Sequence, residues 1–182
     1  IMKLIHTADW HLGNTFHGHD RADEHAHFLS WLLEVVRQQR PDALIISGDI
    51  FDTANPPARA EKQFFDFLIQ ATSAVEGLQV VATAGNHDSA GRLEAPAELL
   101  KVHNVYVRGM VRRLEDSGEV DFDHYLLPLS PLGQQEAVVT CFAVPYLRTS
   151  DYPSGLSTTE GLAWFLDNLC KRYRKTPFKS LP

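Results

Sequence analysis

Three short clusters of polar side chains stand out in the first half of the chain. They are Asp9 with His11, then Asp49 with Asp52, then Asn86, His87 and Asp88. Together they offer carboxylate oxygen, imidazole nitrogen and amide oxygen, a mixture that suits a divalent ion such as Mn²⁺ or Fe²⁺ better than a structural Zn²⁺. A carboxylate can also bridge two ions about 3.5–4 Å apart, an arrangement that clamps the attacking and leaving oxygens of a phosphoryl transfer.

The elements before these clusters should bring them together. Apolar runs at residues 3–6, 43–47 and 79–84 predict strands. Apolar residues at helical spacing predict two helices between them, over about 21–39 and 58–75. Alternating strands and helices predict a parallel sheet, in which the loops after the strands share one edge.

Glycines also precede two of the clusters. Gly48 comes directly before Asp49, and Gly85 comes directly before Asn86. Because glycine has no β-carbon, we expect these positions to let the backbone turn sharply and approach a phosphate closely.

The rest of the chain has a different pattern. It predicts a helix near 94–101, a strand near 105–107, short apolar segments at 125–127 and 137–144, and a last helix near 158–174. The short apolar segments alternate with turns, which indicates an antiparallel portion. The expected fold class is therefore α/β.

Composition narrows the possible classes. The chain has 182 residues, 44% of them hydrophobic and 22% charged, which suits one globular domain and excludes a disordered chain, a collagen or a coiled coil. A net charge of −6 argues against a nonspecific nucleic-acid binder, although bound cations would invert the local field. Without a signal peptide, a membrane span or a C-x-x-C pair, we expect reduced cysteines, a cytoplasmic location and no membrane partner.

The three clusters, in this order and each after a strand, resemble the first three motifs of the calcineurin-like metallophosphoesterases. The finer match is to the SbcD family, the nuclease subunits of bacterial SbcCD complexes, and it lies in residues 6–13, 48–57 and 142–148. Protein phosphatases of the superfamily carry Asp-Arg-Gly after the second motif, whereas Thr53 and Ala54 follow Asp52 here. The resemblance implies a two-sheet αββα sandwich.

The resemblance also implies a role for each residue of the site. Asp9 and His11 bind one metal, Asp49 bridges two metals, and Asn86 binds the second through its side-chain oxygen. His87 lies outside the metal shell and stabilises the transition state or protonates the leaving oxygen. An imidazole beside a two-metal site also suits a proton donor near neutral pH. The plainer alternative for all five is a set of caps and turn residues at strand ends.

Two further carboxylates accompany these residues. Asp52 and Asp88 fit a second layer that orients the metal ligands. A helix cap or a turn is the alternative interpretation for both.

The later ligands of the family have no counterpart in this sequence. The family adds one isolated histidine and then a Gly-His-x-His pair, but no histidine follows His124, and His103 and His124 stand in a different context. We therefore expect residues 1–182 to be the N-terminal fragment of a metallophosphoesterase domain that lacks its C-terminal portion. Such a fragment is expected to hold metal only partly and to show little nuclease activity.

Other conspicuous residues are expected to have ordinary roles. His17, His19, His25 and His27 are expected at the surface, with a substrate contact as the alternative for the first two. Trp10 is expected to pack beneath the site, with base stacking as its alternative.

The resemblance implies Mn²⁺-dependent hydrolysis of DNA, as a double-strand exonuclease and single-strand endonuclease. It further implies an SbcC-type ATPase partner, a homodimer, and a place in DNA repair, recombination and replication. Two alternatives remain open. One is a noncatalytic module that binds DNA ends or a partner, and the other is a phosphodiesterase for small nucleotides.

Overall fold

A computed structural model describes all 182 residues, from Ile1 to Pro182. The chain forms eight strands, five α-helices and one 3₁₀ turn. The strands are β1 (Leu4–Thr7), β2 (Thr15–Phe16), β3 (His19–Asp20), β4 (Ala43–Ser47), β5 (Gln79–Thr83), β6 (Val105–Arg108), β7 (Leu126–Leu129) and β8 (Val139–Phe142). The helices are α1 (Ala22–Gln39), α2 (Ala58–Ala74), α3 (Ala90–Glu94), α4 (Ala97–Lys101) and α5 (Thr158–Tyr173), and the 3₁₀ turn is Phe122–Tyr125.

Four strands form the parallel sheet that the sequence predicts. Their order is β1-β4-β5-β6, and every neighbouring pair is parallel. The pleat sends alternate residues of β4 to opposite faces. Leu44 and Ile46 belong to the main hydrophobic core beneath α1 and α2, whereas Ala43 belongs to a separate core on the other face.

The other face of this sheet is covered by the antiparallel hairpin of β7 and β8. Leu127 and Leu129 of β7 pack with Ala43 and Val81 of the parallel sheet. Leu126 points the opposite way and packs with the aromatic and leucine side chains of α5. The layers therefore run helices, parallel sheet, antiparallel hairpin, helix, which confirms the predicted α/β sandwich.

Local chemistry sets the helix ends. Arg40 ends α1 in the left-handed conformation, with φ of 43°, directly before Pro41. The side chains of Ser157 and Glu160 form a capping box that starts α5. The predicted single helix near 94–101 is wrong, because Pro96, which lacks an N–H group, separates α3 from α4.

The loop after β1 also differs from the prediction. It contains the short hairpin of β2 and β3, where the sequence had indicated only a loop. Asp20 lies one residue before Arg21, the cap residue of α1, and its carboxylate accepts a hydrogen bond from the Ala22 backbone N–H at 2.7 Å. Among the helices, none is long and apolar enough to cross a membrane.

Candidate metal centre

The loops that follow β1, β4 and β5 meet at the carboxyl edge of the parallel sheet. The backbone N–H of Asp9 donates to the Gly48 carbonyl at 3.2 Å, and that of His11 donates to the Asp49 carbonyl at 2.9 Å. These bonds continue the pairing of β1 with β4 beyond the ends of the strands. The first and second clusters are thus held side by side, as the parallel topology predicts.

Three of the candidate residues have a left-handed backbone. The φ angles are 56° for Asp9, 46° for His11 and 45° for Asp49. Each such conformation costs roughly 1–2 kcal/mol for a residue with a β-carbon. The bonds between the two loops hold these residues in that conformation, and strain of this kind concentrates at functional sites.

The side chains of these residues lie close enough to share an ion. Asp9, His11 and Asp49 each offer one ligand atom, and these atoms lie within 4.8 Å of one another. No lysine or arginine forms a salt bridge with Asp9 or Asp49. The cluster has an excess of negative charge and a mixed oxygen and nitrogen donor set, so a divalent cation fits it.

Gly85 lets the third loop approach Asp49. A β-carbon at Gly85 would lie 2.1 Å from Asp49 Oδ1 and 2.2 Å from the Asp49 backbone nitrogen. The backbone N–H of His87 donates to the same Oδ1 at 3.0 Å. The absence of a β-carbon at Gly85 therefore leaves room for the Asp49 carboxylate, while the predicted approach to a phosphate stays a prediction. Asn86 lies exposed between Gly85 and His87.

Asp88 joins the second and third loops from below. Its side chain is buried and accepts hydrogen bonds from the backbone N–H groups of Gly85 at 2.7 Å, Phe51 at 2.9 Å and Ile50 at 3.2 Å. The carboxylate therefore contacts the backbone of the loops rather than the side chain of a candidate ligand.

Asp52 lies between His11, His87 and Asn14. Its Oδ1 lies 3.3 Å from His11 Nδ1, and it accepts a hydrogen bond from Asn14 Nδ2 at 2.9 Å. His11 Nδ1 is enclosed and lacks the alignment of a hydrogen bond, so its other ring nitrogen is the one left for an ion. His11, Asp52 and His87 also lie within 4.8 Å of one another by their ligand atoms.

The ring of His87 is oriented by a backbone carbonyl. His87 Nδ1 lies 2.8 Å from the Asp52 carbonyl oxygen, which can only accept, so Nδ1 carries a proton. This bond raises the pKa of His87, and the nearby carboxylates of Asp49, Asp52 and Asp88 act in the same direction. The ring stands 5.0 Å from that of His11, and its Nε2 is the nitrogen available to a substrate.

A cavity of about 590 Å³ adjoins the centre and reaches α1, and His25 lines it together with Asp9 and His11. The predicted surface position of His25 is wrong, because this residue is only 6% exposed. Its spacing from Leu29 and Leu32 on the buried face of α1 was the signal for burial. His27 is exposed on α1.

Other polar and aromatic residues take the ordinary places expected of them. Trp10 is buried, with its ring against Phe28 and Phe67 and its indole N–H donating to Thr7 Oγ1 at 2.8 Å. His124 lies 3.3 Å from Glu94 Oε1, away from the candidate ligands. His17, His19 and His103 are exposed. Asn14, which the sequence did not single out, supports Asp52 as described above.

Comparisons with known proteins agree with this geometry. The family model described as calcineurin-like phosphoesterase matches residues 2–177. The SbcD subunit of nuclease SbcCD from Rhodobacter capsulatus is 42% identical over 153 residues, which cover 84% of this chain and 37% of the relative. The chain is also similar to the same subunit from Escherichia coli K12, 39% identical over 106 residues, and from Bacillus subtilis 168, 42% identical over 108 residues.

The matched segments cover only a part of each relative. The matched segments cover 26% of the Escherichia coli protein and 27% of the Bacillus subtilis protein, and 58% and 59% of this chain. The chain therefore spans between a quarter and two fifths of the length of the curated relatives that it matches.

Proposed function

The chain belongs to the calcineurin-like phosphoesterase family, and from that premise we propose that it hydrolyses DNA phosphodiesters with the help of two divalent cations. The main support for this proposal is that the ligand atoms of Asp9, His11 and Asp49 lie within 4.8 Å of one another. The exposed ring of His87 lies beside them. The similarity to proteins named as subunits of the nuclease SbcCD supports DNA as the substrate.

Each candidate ligand has a distinct task in this proposal. Asp9 and His11 would hold the first cation, and Asp49 would be shared between the two. Asp49 is suited to bridging because the His87 backbone N–H occupies only one position on its Oδ1, and its Oδ2 is left for an ion. Asn86, exposed on the same loop, offers its side-chain oxygen to the second cation. Divalent cations bound here, with Mn²⁺ as the proposed metal, would offset the charge that builds up during an in-line displacement.

His87 supplies the proton. The Asp52 carbonyl fixes the ring through Nδ1, which leaves Nε2 for the substrate. In its protonated form the ring would donate from Nε2 to the leaving oxygen. Asp52 and Asp88 act as positioning residues, the former beside His11 and His87 and the latter through the backbone of the two loops.

The assembly is proposed by analogy with the named relatives. We propose that residues 1–182 form the N-terminal part of the phosphoesterase domain and that the protein works with an SbcC-type ATPase as a homodimer. Exonuclease and single-strand endonuclease action in DNA repair, recombination and replication belong to the same proposal. The breadth of the family match supports the domain assignment.

The experiment measures Mn²⁺-dependent cleavage of end-labelled DNA by the full-length protein, of which residues 1–182 are proposed to form the N-terminal part. We expect Asp49→Asn to abolish both cleavage and tight Mn²⁺ binding measured by calorimetry. His87→Gln should keep Mn²⁺ binding but lower kcat by about 10²–10⁴-fold, the usual contribution of a general acid. Asp66→Asn is the matched control, since Asp66 lies exposed on α2 and pairs with Lys62.

Three results would contradict the proposal. If Asp49→Asn and His87→Gln cut DNA as well as the parent, the assigned roles are wrong. If the parent hydrolyses bis-p-nitrophenyl phosphate and cyclic nucleotides but not linear DNA, the protein is a phosphodiesterase for small nucleotides instead. A parent that binds DNA ends without any hydrolysis would be a noncatalytic module.

A further inference from the structure

The cavity beside the candidate metal centre has a wall that the proposed chemistry does not use. The loop after β1 forms one side and α1 forms the other, and the volume is about 590 Å³. The charged and imidazole side chains that line it are Asp9, His11 and Asp52 from the loops and Arg21, Glu24 and His25 from the helix region, where Glu24 pairs with Arg21. Because Asp9 and His11 belong to both the centre and the cavity, a chain of phosphates could pass from one to the other.

His25 is an unusual residue to find in this wall. It is only 6% exposed, and its Nδ1 is enclosed without a hydrogen-bond partner. Burial lowers the pKa of His25, and the charge of Arg21 acts in the same direction, so the neutral ring is favoured. An enclosed N–H without a partner is destabilising, and enclosed acceptors lack partners more often than enclosed N–H groups do. The proton therefore belongs on Nε2, the nitrogen left to face a ligand in the cavity.

Arg21 lies four residues before His25, on the same side of the helix start. Its Nε donates to Glu24 Oε2 at 2.6 Å, which leaves the two terminal nitrogens of the guanidinium for another acceptor. A guanidinium fork matches the oxygens of a phosphate. Two donors, one from a charged fork and one from a neutral ring, thus line one cavity next to the centre.

We propose that Arg21 and His25 form a subsite for a phosphate adjacent to the scissile phosphate in the substrate strand. The proposal rests on the proposed function, because it assigns the second phosphate to a strand whose first phosphate occupies the metal centre. A non-bridging oxygen of the second phosphate accepts from His25 Nε2 and from the Arg21 guanidinium. The subsite distinguishes polynucleotides, which carry neighbouring phosphates, from esters with a single phosphate.

Binding tests the subsite independently of hydrolysis. Calorimetry on the full-length protein with Mn²⁺ compares thymidine 3′,5′-bisphosphate, which carries two neighbouring phosphates, with thymidine 5′-phosphate, which carries one. We expect the parent to bind the bisphosphate at least about tenfold more tightly, because its second phosphate accepts hydrogen bonds from Arg21 and His25 and such bonds to charged groups are the stronger ones. His25→Leu and Arg21→Met should remove most of that preference, whereas His25→Gln, which keeps an N–H donor, should retain part of it.

Kinetics gives a second readout. In the same variants, the ratio of kcat/KM for an oligonucleotide to that for bis-p-nitrophenyl phosphate should fall about tenfold to a hundredfold. His27→Leu is the matched control, since His27 is exposed on α1 and does not line the cavity. Arg21→Met serves as a second variant in case substitution of the buried His25 impairs folding, because the Arg21 side chain is 40% exposed.

Several outcomes would overturn the subsite. A parent without preference for the bisphosphate, or variants that keep the full preference, would do so. An equal fall in kcat/KM for the oligonucleotide and for bis-p-nitrophenyl phosphate would also overturn it, since this result indicates a structural role for His25. If the preference exists and depends on His25 while linear DNA is not cleaved, the subsite stands and the proposed nuclease function fails.

Discussion

Two polar clusters lie near the same edge of the parallel sheet, and they are built in opposite ways. The loop cluster consists of Asp9, His11, Asp49 and His87, and the Glu94 cluster consists of Glu94, Arg108, His124 and Tyr125. Both combine carboxylate and histidine side chains near the carboxyl ends of parallel strands. Residue type alone would not tell them apart.

The Glu94 cluster satisfies its own hydrogen bonds. Glu94 Oε2 accepts from the backbone N–H groups of Gly109 and Met110, both at 3.0 Å, and its Oε1 lies 3.3 Å from His124 Nε2. Arg108 Nε donates to the His124 carbonyl at 2.6 Å. Buried polar groups that are paired in this way hold α3 to the segment after β6.

The loop cluster leaves its groups open. Asp9 and His87 are exposed, Asp49 has no basic partner, and Asp9, His11 and Asp49 have strained left-handed backbones. A cluster that is both strained and incompletely paired gains stability from a ligand, whereas a paired cluster does not need one. The comparison indicates that polar groups without hydrogen-bond partners, more than the types of residue present, distinguish a candidate binding site from a structural cluster.

Among the substitutions that test the difference between the two clusters, Gly85→Ala is expected to have the largest effect on DNA cleavage. Gly85→Ala places a β-carbon 2.1 Å from Asp49 Oδ1, so the third loop must move away from Asp49. Because a displacement of about 1 Å can cost about 10²-fold, we expect DNA cleavage by the full-length protein to fall at least that far. The measurement is kcat/KM with labelled DNA and Mn²⁺.

Gly91→Ala is the matched control for that substitution. Gly91 is exposed in α3, and a β-carbon there would meet nothing within 4 Å. We expect unchanged cleavage and a gain in stability of about 0.5–1 kcal/mol from the better helix former. Equal losses in the two variants would show that the close approach of Gly85 to Asp49 has no bearing on the site.

A smaller effect is expected when the support of the loop cluster is weakened. Asp52→Asn keeps the size of the side chain and removes the charge that lies 3.3 Å from His11 Nδ1. Loss of such an outer partner typically lowers metal affinity or activity by about 10–100-fold. Mn²⁺ titration followed by activity measures the change, with Asp66→Asn as control, and an affinity equal to that of the parent would argue that Asp52 does not orient His11.

Much of the fold could be predicted because its signals are local. The strands of the parallel sheet are continuous apolar runs, and the clusters follow them directly, so topology alone brings the loops together. The hairpin of β2 and β3 escaped prediction because strands of two residues carry no alternating pattern. Pro96 itself indicates a break between α3 and α4, but the residues on both sides of it favour a helix and therefore suggested a single one.

The candidate site was harder to predict in its details. Residue types indicate Asp49 and His87, but the contact between Gly85 and Asp49 depends on two loops that are far apart in sequence. The burial of His25 likewise depends on how α1 packs above the loop after β1. Tertiary packing of this kind leaves only a weak periodic trace in the sequence.

The Glu94 cluster should respond in stability rather than in catalysis. Burial would raise the pKa of Glu94, but hydrogen bonds from His124, Met110 and Gly109 outweigh it and lower the pKa below 4.5. The ionised carboxylate therefore stabilises the fold above pH 4.5, and this contribution is lost as the pH falls through the lowered pKa. We expect Glu94→Gln to reduce the free energy of unfolding at neutral pH by about 1–2 kcal/mol.

Denaturant unfolding of the full chain at several pH values checks this prediction. The difference between Glu94→Gln and the parent should shrink below pH 4.5, because the parent carboxylate then becomes protonated as well. Mn²⁺ affinity should stay at the parental value. A large loss of Mn²⁺ affinity would break the comparison, since it would make the Glu94 cluster part of the metal site.

The smallest effect is expected at Tyr125. Its enclosed hydroxyl accepts from the Arg112 backbone N–H at 2.6 Å and donates to the Met110 carbonyl at 3.2 Å, and burial raises the pKa of Tyr125 to about 12. Tyr125→Phe leaves both backbone groups without this partner and should cost about 1 kcal/mol in denaturant unfolding. Tyr146→Phe, at a side chain that is 49% exposed, should cost less. Equal costs in the two variants would mean that the hydroxyl of Tyr125 does not stabilise the fold. The hydrogen bonds of the Glu94 cluster would then be a consequence of the fold and not a source of its stability.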